Sequence, residues 1–232
     1  MTNPDLIFLL FCGLCGLQII SFFGGLLLMS AAVRVRHQAH KRAWQKLAAQ
    51  TGLTYESSGL WGLQLCVTGT YRGRSLTLDT FTRGGDADSG STSYTRIVIF
   101  VNNQSHVYLA LYEENVFSKI GKLFGAEDIQ IGDEEIDRRF IIKGQPESVI
   151  VSLLATGGLR PKLLEARSLN LEMDGRELCF EEQEVEMDVN YLRFLFDLLS
   201  DMAEAIERAG GIMPASPVAP ASDWLSSVTT GG

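Results

Sequence analysis

Leu6 to Val33 is an uninterrupted run of 28 residues without a charge, and Arg34, Arg36, His37, His40, Lys41 and Arg42 follow it at once. About 20 apolar residues suffice to cross a bilayer as a helix, so the pattern predicts a transmembrane span over residues 6–33 with the lipid bilayer as its partner. A cleaved signal peptide would carry its cations before a shorter apolar run and end in a small-residue site. Here only Asp5 precedes the run, and Phe11 and Leu14 stand before Cys12 and Cys15 where a lipoprotein would need small residues. The expectation is an uncleaved single-pass anchor. Loops rich in Lys and Arg stay on the cytoplasmic side, which places the N-terminus outside the inner (plasma) membrane and the body in the cytoplasm. Two small-residue pairs, Cys12 with Gly16 and Ser21 with Gly25, lie nine residues apart and so face opposite sides of a helix. One tight helix-pairing seam is not encoded there.

Beyond the neck the periodicity changes repeatedly. Trp44, Leu47 and Ala48 predict a helix from about Val35 to Gln50, stopped by Gly52. Alternating runs at Leu65–Tyr71 and Leu76–Phe81, joined by Arg72-Gly73, predict a hairpin. Tyr94–Val101 and Val107–Tyr112, joined by Asn102 to Ser105, extend it to a four-stranded antiparallel meander. Glu113–Phe124 reads as a short helix, Arg139–Lys143 as a strand, and Pro146-Glu147 as the opening of a helix through Leu154. Leu169–Met173 and Glu177–Phe180 around Asp174-Gly175 form a second hairpin. Asp188 caps a last helix in which Val189, Leu192, Phe196, Leu199, Ala203 and Ile206 recur at spacings of three and four. Leu195, Leu198 and Met202 widen that stripe beyond a coiled-coil seam, which favours packing on the sheet and leaves a homodimer helix as the alternative. From Gly210 the chain turns to Gly, Pro, Ser and Ala, a composition that cannot bury a core.

The expected class is therefore α+β: a transmembrane helix, an antiparallel sheet (the meander plus a later hairpin) packed against helices, and a long C-terminal amphipathic helix. The expected division is an anchor at 1–34, a basic juxtamembrane helix at 35–52, a cytoplasmic domain at 53–209 and a disordered tail at 210–232, in which Trp224 and Leu225 are the apolar pair. Charge follows the same division. Five of the 20 Lys and Arg and one of the 28 Asp and Glu lie in residues 1–46, so the remainder holds 15 and 27, a formal −12. Such a body is repelled by nucleic acid, which is excluded as a partner. Arg34, Arg36, Lys41 and Arg42 suit an anionic leaflet or serve topology alone. A protein partner of unknown identity remains.

Chemistry is sparse. Cys66 and Cys179 read as reduced strand thiols, and with His106 they have no metal-ligand spacing. No nucleophile elbow or phosphate-binding glycine loop appears, so no cofactor and no catalytic set is expected. Asp86 and Asp88 before Gly90 echo a calcium loop, but Ile97 stands where a bidentate Glu should close it. The densest constellation is Gly132-Asp133-Glu134-Glu135-Ile136-Asp137-Arg138-Arg139-Phe140. Carboxylates beside arginine can lock a loop, and Asp133, Asp137, Arg138 and Arg139 form either such a lock or a ligand site.

The tryptophan helix with its Thr51-Gly52-Leu53 step, the Gly69-x-Tyr71-x-Gly73 hairpin and the Gly132-Asp133-x-x-x-Asp137-Arg138-Arg139-Phe140 turn ahead of Pro146-Glu147 carry a resemblance. Across about residues 40–205 the chain resembles uncharacterised bacterial membrane-anchored proteins with a domain of unknown function. That family implies no activity. Two readings follow: a membrane-anchored cytoplasmic binding or scaffold protein, or a tethered enzyme with its site around Asp133 to Arg139.

Overall fold

A computed structural model describes residues 33–58, 64–84, 91–113, 128–155 and 158–212. Helix α1 covers residues 33–51. It is followed by β1 (Thr54–Ser58), β2 (Gln64–Tyr71), β3 (Arg74–Arg83), β4 (Thr92–Phe100), β5 (Tyr108–Glu113), α2 (Glu134–Arg139) and β6 (Phe140–Gln145). Then come α3 (Glu147–Leu154), α4 (Leu159–Glu165), β7 (Asn170–Asp174), β8 (Glu177–Gln183) and α5 (Val189–Ile212). The strands make an eight-stranded sheet in the order β1-β2-β3-β4-β8-β7-β5-β6. The class is α+β.

Two expectations are corrected here. No helix among the described residues is long and apolar enough to cross a membrane, so the transmembrane element of the expected class is not upheld. The physical reason is charge: α1 carries Arg34, Arg36, Lys41, Arg42 and Lys46, and α5 carries Arg193, Asp197, Asp201, Glu204, Glu207 and Arg208. The expected span at 6–33 falls, Val33 apart, outside the described residues, as do the helix expected over Glu113–Phe124, apart from Glu113 at the end of β5, the Asp86 and Asp88 loop and the tail beyond 212.

The second correction concerns the meander. Its fourth strand was expected at Val107–Tyr112, but the β7–β8 hairpin stands between β4 and β5. Leu109, Ala110, Leu111 and Tyr112 are all buried, so β5 is covered on both faces. A continuous apolar run is what such a strand requires, whereas a meander edge with one wet face alternates. The sequential run is instead β1 to β4, begun by Thr54–Ser58, whose sequence TYESS carries no apolar alternation.

The chain divides into two compact units, one built from the chain up to Tyr71, Thr77–Arg96 and Gln183–Phe194, the other from Arg72–Leu76, Ile97–Glu182 and Leu195 onward. In the first, Trp44, Leu47, Leu65, Val67, Leu78 and Leu192 are buried to within 2% exposure. Gly52 takes φ +71 after α1, and the Leu53 N–H donates back to the Ala48 carbonyl at 3.1 Å, the six-to-one bond of a Schellman stop. β1 pairs antiparallel with β2, Tyr55 opposite Val67.

In the second unit β5 pairs antiparallel with both β6 and β7, and β7 with β8. The β7–β8 turn is Gly175-Arg176, with Asp174 opposite Glu177 and glycine supplying φ +58. Buried Asn103 holds that turn, donating to the Gly175 and Val107 carbonyls at 2.8 Å each and accepting from the Val107 N–H. α4, which contains Pro161, is not among the elements expected from sequence. The proline sits in the first turn, where a missing N–H costs no intrahelical bond, and Leu159 and Leu163 are buried. Among the described residues, Cys66 and Cys179 are free thiols and partly buried.

The Arg72-Gly73 turn has both residues at positive φ, +46 and +82. Its cations meet an acidic row on α5: Arg72 donates to Asp201 at 2.6 Å, Arg74 to Glu207 at 2.5 Å, and Lys162 of α4 also reaches Asp201 at 2.5 Å. Partial burial pushes the Asp201 carboxyl up, but Lys162 and Arg72 outweigh it and hold its pKa below the usual range. Because the folded-state pKa is depressed, this carboxylate's stabilisation is fully present above its unfolded pKa and is lost as pH falls through the lower, folded-state pKa. Asp201→Asn is therefore expected to lower stability at neutral pH and to make acid unfolding less steep in urea titrations between about pH 5 and 2. At Gly144, with φ +153, a Cβ would run into the Tyr108 carbonyl and the Ile150 side chain. Gly144→Ala is expected to cost about 3 kcal/mol in urea denaturation, and Gly158→Ala, which meets nothing within 4 Å, less than about 0.5 kcal/mol.

Candidate ligand-binding groove

α1 repeats side chains at Arg36, His40 and Trp44, positions that lie one above another on a helix face. Trp44 is fully buried, and its indole N–H needs a partner. It donates to the Glu186 carbonyl at 2.9 Å. Glu186 belongs to the connector between β8 and α5, a segment that lacks regular pairing and must be satisfied by side chains. Thr95, fully buried on β4, does this with one hydroxyl: it donates to the Glu184 carbonyl and accepts from the Glu186 N–H, both at 2.8 Å. The Glu184 N–H donates to the Ser93 carbonyl at 2.8 Å. Farther on, the Glu186 carboxylate accepts from the Met187 and Asp188 N–H groups, and Asp188 caps α5 by accepting from Asn190 and Tyr191. Glu184 is thereby held at φ +75.

Between this connector, α1 and the ends of β2, β3 and β4 lies a groove of about 870 Å³. α1 contributes Arg36, His37 and His40; the strands and their loops contribute Gln64, Thr80, Phe81, Thr82, Ser91, Thr92, Ser93 and Gln183; the connector contributes Glu184 and Val185. Phe81 stacks on Tyr94 with centroids 5.2 Å apart, and the Arg83 and Arg96 guanidinia lie 5.4 and 5.2 Å from its ring. Arg96 is itself fixed by a two-pronged bond to Asp79 at 2.9 and 2.6 Å.

His40 is 8% exposed, and its Nε2 has no hydrogen-bond partner among the described residues. Burial, then the charges of Arg36 and His37, push its pKa below the usual imidazole value. Arg36 meets Glu184 at 3.9 Å with both side chains well exposed, a weak pair in high dielectric.

The residues singled out in sequence lie in the other unit. Asp133 caps α2, accepting from the Glu135 and Ile136 N–H groups at 3.1 and 3.3 Å, and Arg160 of α4 bonds both Asp133 and Glu135. The Arg160 bond holds the Asp133 carboxyl below its usual range. Asp137 accepts from the Ile131 and Gly132 N–H groups. Arg139 donates to Glu113 and to the Leu164 and Ala166 carbonyls, while Arg138 is exposed. The geometry of this cluster ties the 131–133 turn, α2 and α4 together. His106 is an exposed loop residue at φ +50. Among the described residues no three His, Cys, Asp or Glu side chains could hold a metal ion together.

Sequence reasoning missed the groove. His37 and His40 were read as part of a basic neck, and only their helical register with Trp44 could have aimed them inward. Nothing in the local pattern marks Thr95 or Glu184.

No family model and no curated protein matches the chain, which agrees with the resemblance to a family without an assigned activity. Among solved structures, the crystal structure of the mycobacterial trehalose monomycolate transport factor A, TtfA, is similar at 12% identity and a TM-score of 0.46, covering 77% of this chain and 98% of that one. A likeness so distant carries neither fold nor activity.

Thr95→Val is expected to cost about 2–3 kcal/mol in urea denaturation because it leaves a carbonyl and an N–H of the connector unpaired. Trp44→Phe, which orphans the Glu186 carbonyl alone, should cost about 1–2 kcal/mol.

Proposed function

We propose that this chain is a binding protein that holds a small hydrophilic ligand in the groove beside α1. The observation that supports this is the groove itself: hydroxyl, amide and basic side chains converge on one wall-bounded space with a fixed aromatic ring, Phe81, at its side. A few placed polar groups around an apolar surface are the usual make-up of a ligand site. The connector that forms one wall is tied down by Thr95 and Trp44, so the site is preorganised and binding need not order it. The Asp133 to Arg139 cluster, by contrast, spends its carboxylates on backbone N–H groups and on Arg160, a locking role.

The test is a titration of the full chain with a panel of small sugars, amino acids, nucleosides, carboxylates and phosphate esters, followed in two-dimensional amide spectra. At least one compound should bind saturably with shifts centred on Thr82, Thr92, Ser93 and Glu184, and the exposed substitution Thr82→Arg should abolish them. Saturable shifts centred elsewhere, or none with any compound, would overturn the proposal.

A further inference from the structure

We infer that the ligand of this groove carries a tetrahedral oxyanion, phosphate in character, received by Arg36 and His40 of α1. The inference rests on the binding reading above and names the chemistry of that site.

Three observations lead there. First, α1 aligns Arg36, His37 and His40 on one wall, in a chain whose sequence after Lys46 carries a formal −12. Cationic and protonatable side chains gathered on one wall favour an anion there over the acidic remainder of the chain. Second, the His40 Nε2 is buried and without a partner among the described residues, although buried polar atoms in folded proteins are nearly always bonded. A ligand oxygen would satisfy it. Third, Arg36 is held only loosely at Glu184, 3.9 Å away across exposed side chains, so its planar fork can turn to an incoming oxyanion at little cost. The facing wall supplies hydroxyl donors, Thr82 and Ser93 among them. Donors arriving from two walls suit a tetrahedral group with oxygens on several sides better than a planar carboxylate.

Charge decides the pH behaviour. With the His40 imidazole neutral, Arg36 and Glu184 offset each other, and the further charges beside the lining are Arg83 and Arg96, whose guanidinia lie against the Phe81 ring, with Arg96 paired to Asp79. Attraction for a dianion then grows as His40 takes up a proton. Burial, Arg36 and His37 keep the His40 pKa low in the empty groove. A bound dianion raises it, so binding takes up a proton and affinity increases as pH falls.

The experiment titrates the full chain with sodium sulfate, a dianion whose own charge is constant between pH 6 and 8, and with inorganic phosphate, glycerol 3-phosphate, acetate and glycerol. Binding is read from groove amide shifts and the His40 ring signals. Sulfate and both phosphates should bind saturably, with sulfate tighter at pH 6 than at pH 8, and acetate and glycerol far weaker. Tighter binding of glycerol 3-phosphate than of inorganic phosphate would assign the ligand as a phosphate ester, and the reverse as the free ion. Arg36→Gln, at an exposed position, should weaken sulfate about tenfold. His40→Gln should flatten the pH dependence, while His37→Gln retains it. If a neutral or cationic compound fills the groove and sulfate and phosphate do not, the oxyanion inference falls and the binding reading stands. If no compound perturbs the groove, both fall.

Discussion

A single hydroxyl governs the unit that contains α1 and the groove. Thr95 sits fully buried on β4 and bridges Glu184 and Glu186, donating to one backbone carbonyl and accepting from the other residue's N–H. The connector from β8 to α5 leaves the sheet there and has no ladder to satisfy it. Without the bridge two partly buried backbone groups would lose their protein partner, at about 1–3 kcal/mol together. With it, the same segment offers its carbonyl to the Trp44 indole, which seats α1. Seating α1 in that register turns Arg36 and His40 toward the groove. Sequence to local bond, bond to helix placement and placement to a basic wall form one causal chain.

The second unit relies on a different constraint, charge neutralisation along α5. Asp201 and Glu207 are partly buried acids that meet Arg72, Arg74 and Lys162 across short bonds. The cations come from a two-residue turn that must bend at positive φ and from a short helix opened around a proline, elements with little propensity of their own. Their placement follows from where α5 puts its carboxylates. Asn103 performs the equivalent task for the β7–β8 turn with one amide.

Elements whose signal is local were legible in sequence. Gly52 ended α1, Asp188 capped α5, and the apolar stripe of α5 from Leu192 to Ile206 proved buried throughout. Pairing between distant strands was not legible. β5 is a continuous apolar run buried on both faces while β7 and β8 alternate, which marks β5 as an inner strand, but nothing local says which strands it pairs with. The acidic constellation at Asp133 and Asp137 drew attention because its charges are adjacent in sequence, yet its geometry is that of caps and turn bonds. The groove draws Arg36, Thr82, Ser93 and Glu184 from distant segments, and no spacing rule gathers them. An uncharged run ahead of a cluster of cations predicted a membrane span; no helix among the described residues has that character.

The claim on which the rest hangs is that the 184–186 connector is a fixed wall. Native-state hydrogen exchange at the Glu184 and Glu186 amides measures it directly. Opening free energies close to those of the β4 amides beside Thr95 are expected, since both N–H groups are bonded to that strand. Exchange at the rate of an exposed loop would contradict the account, because Arg36 and His40 would then face a surface with no fixed form.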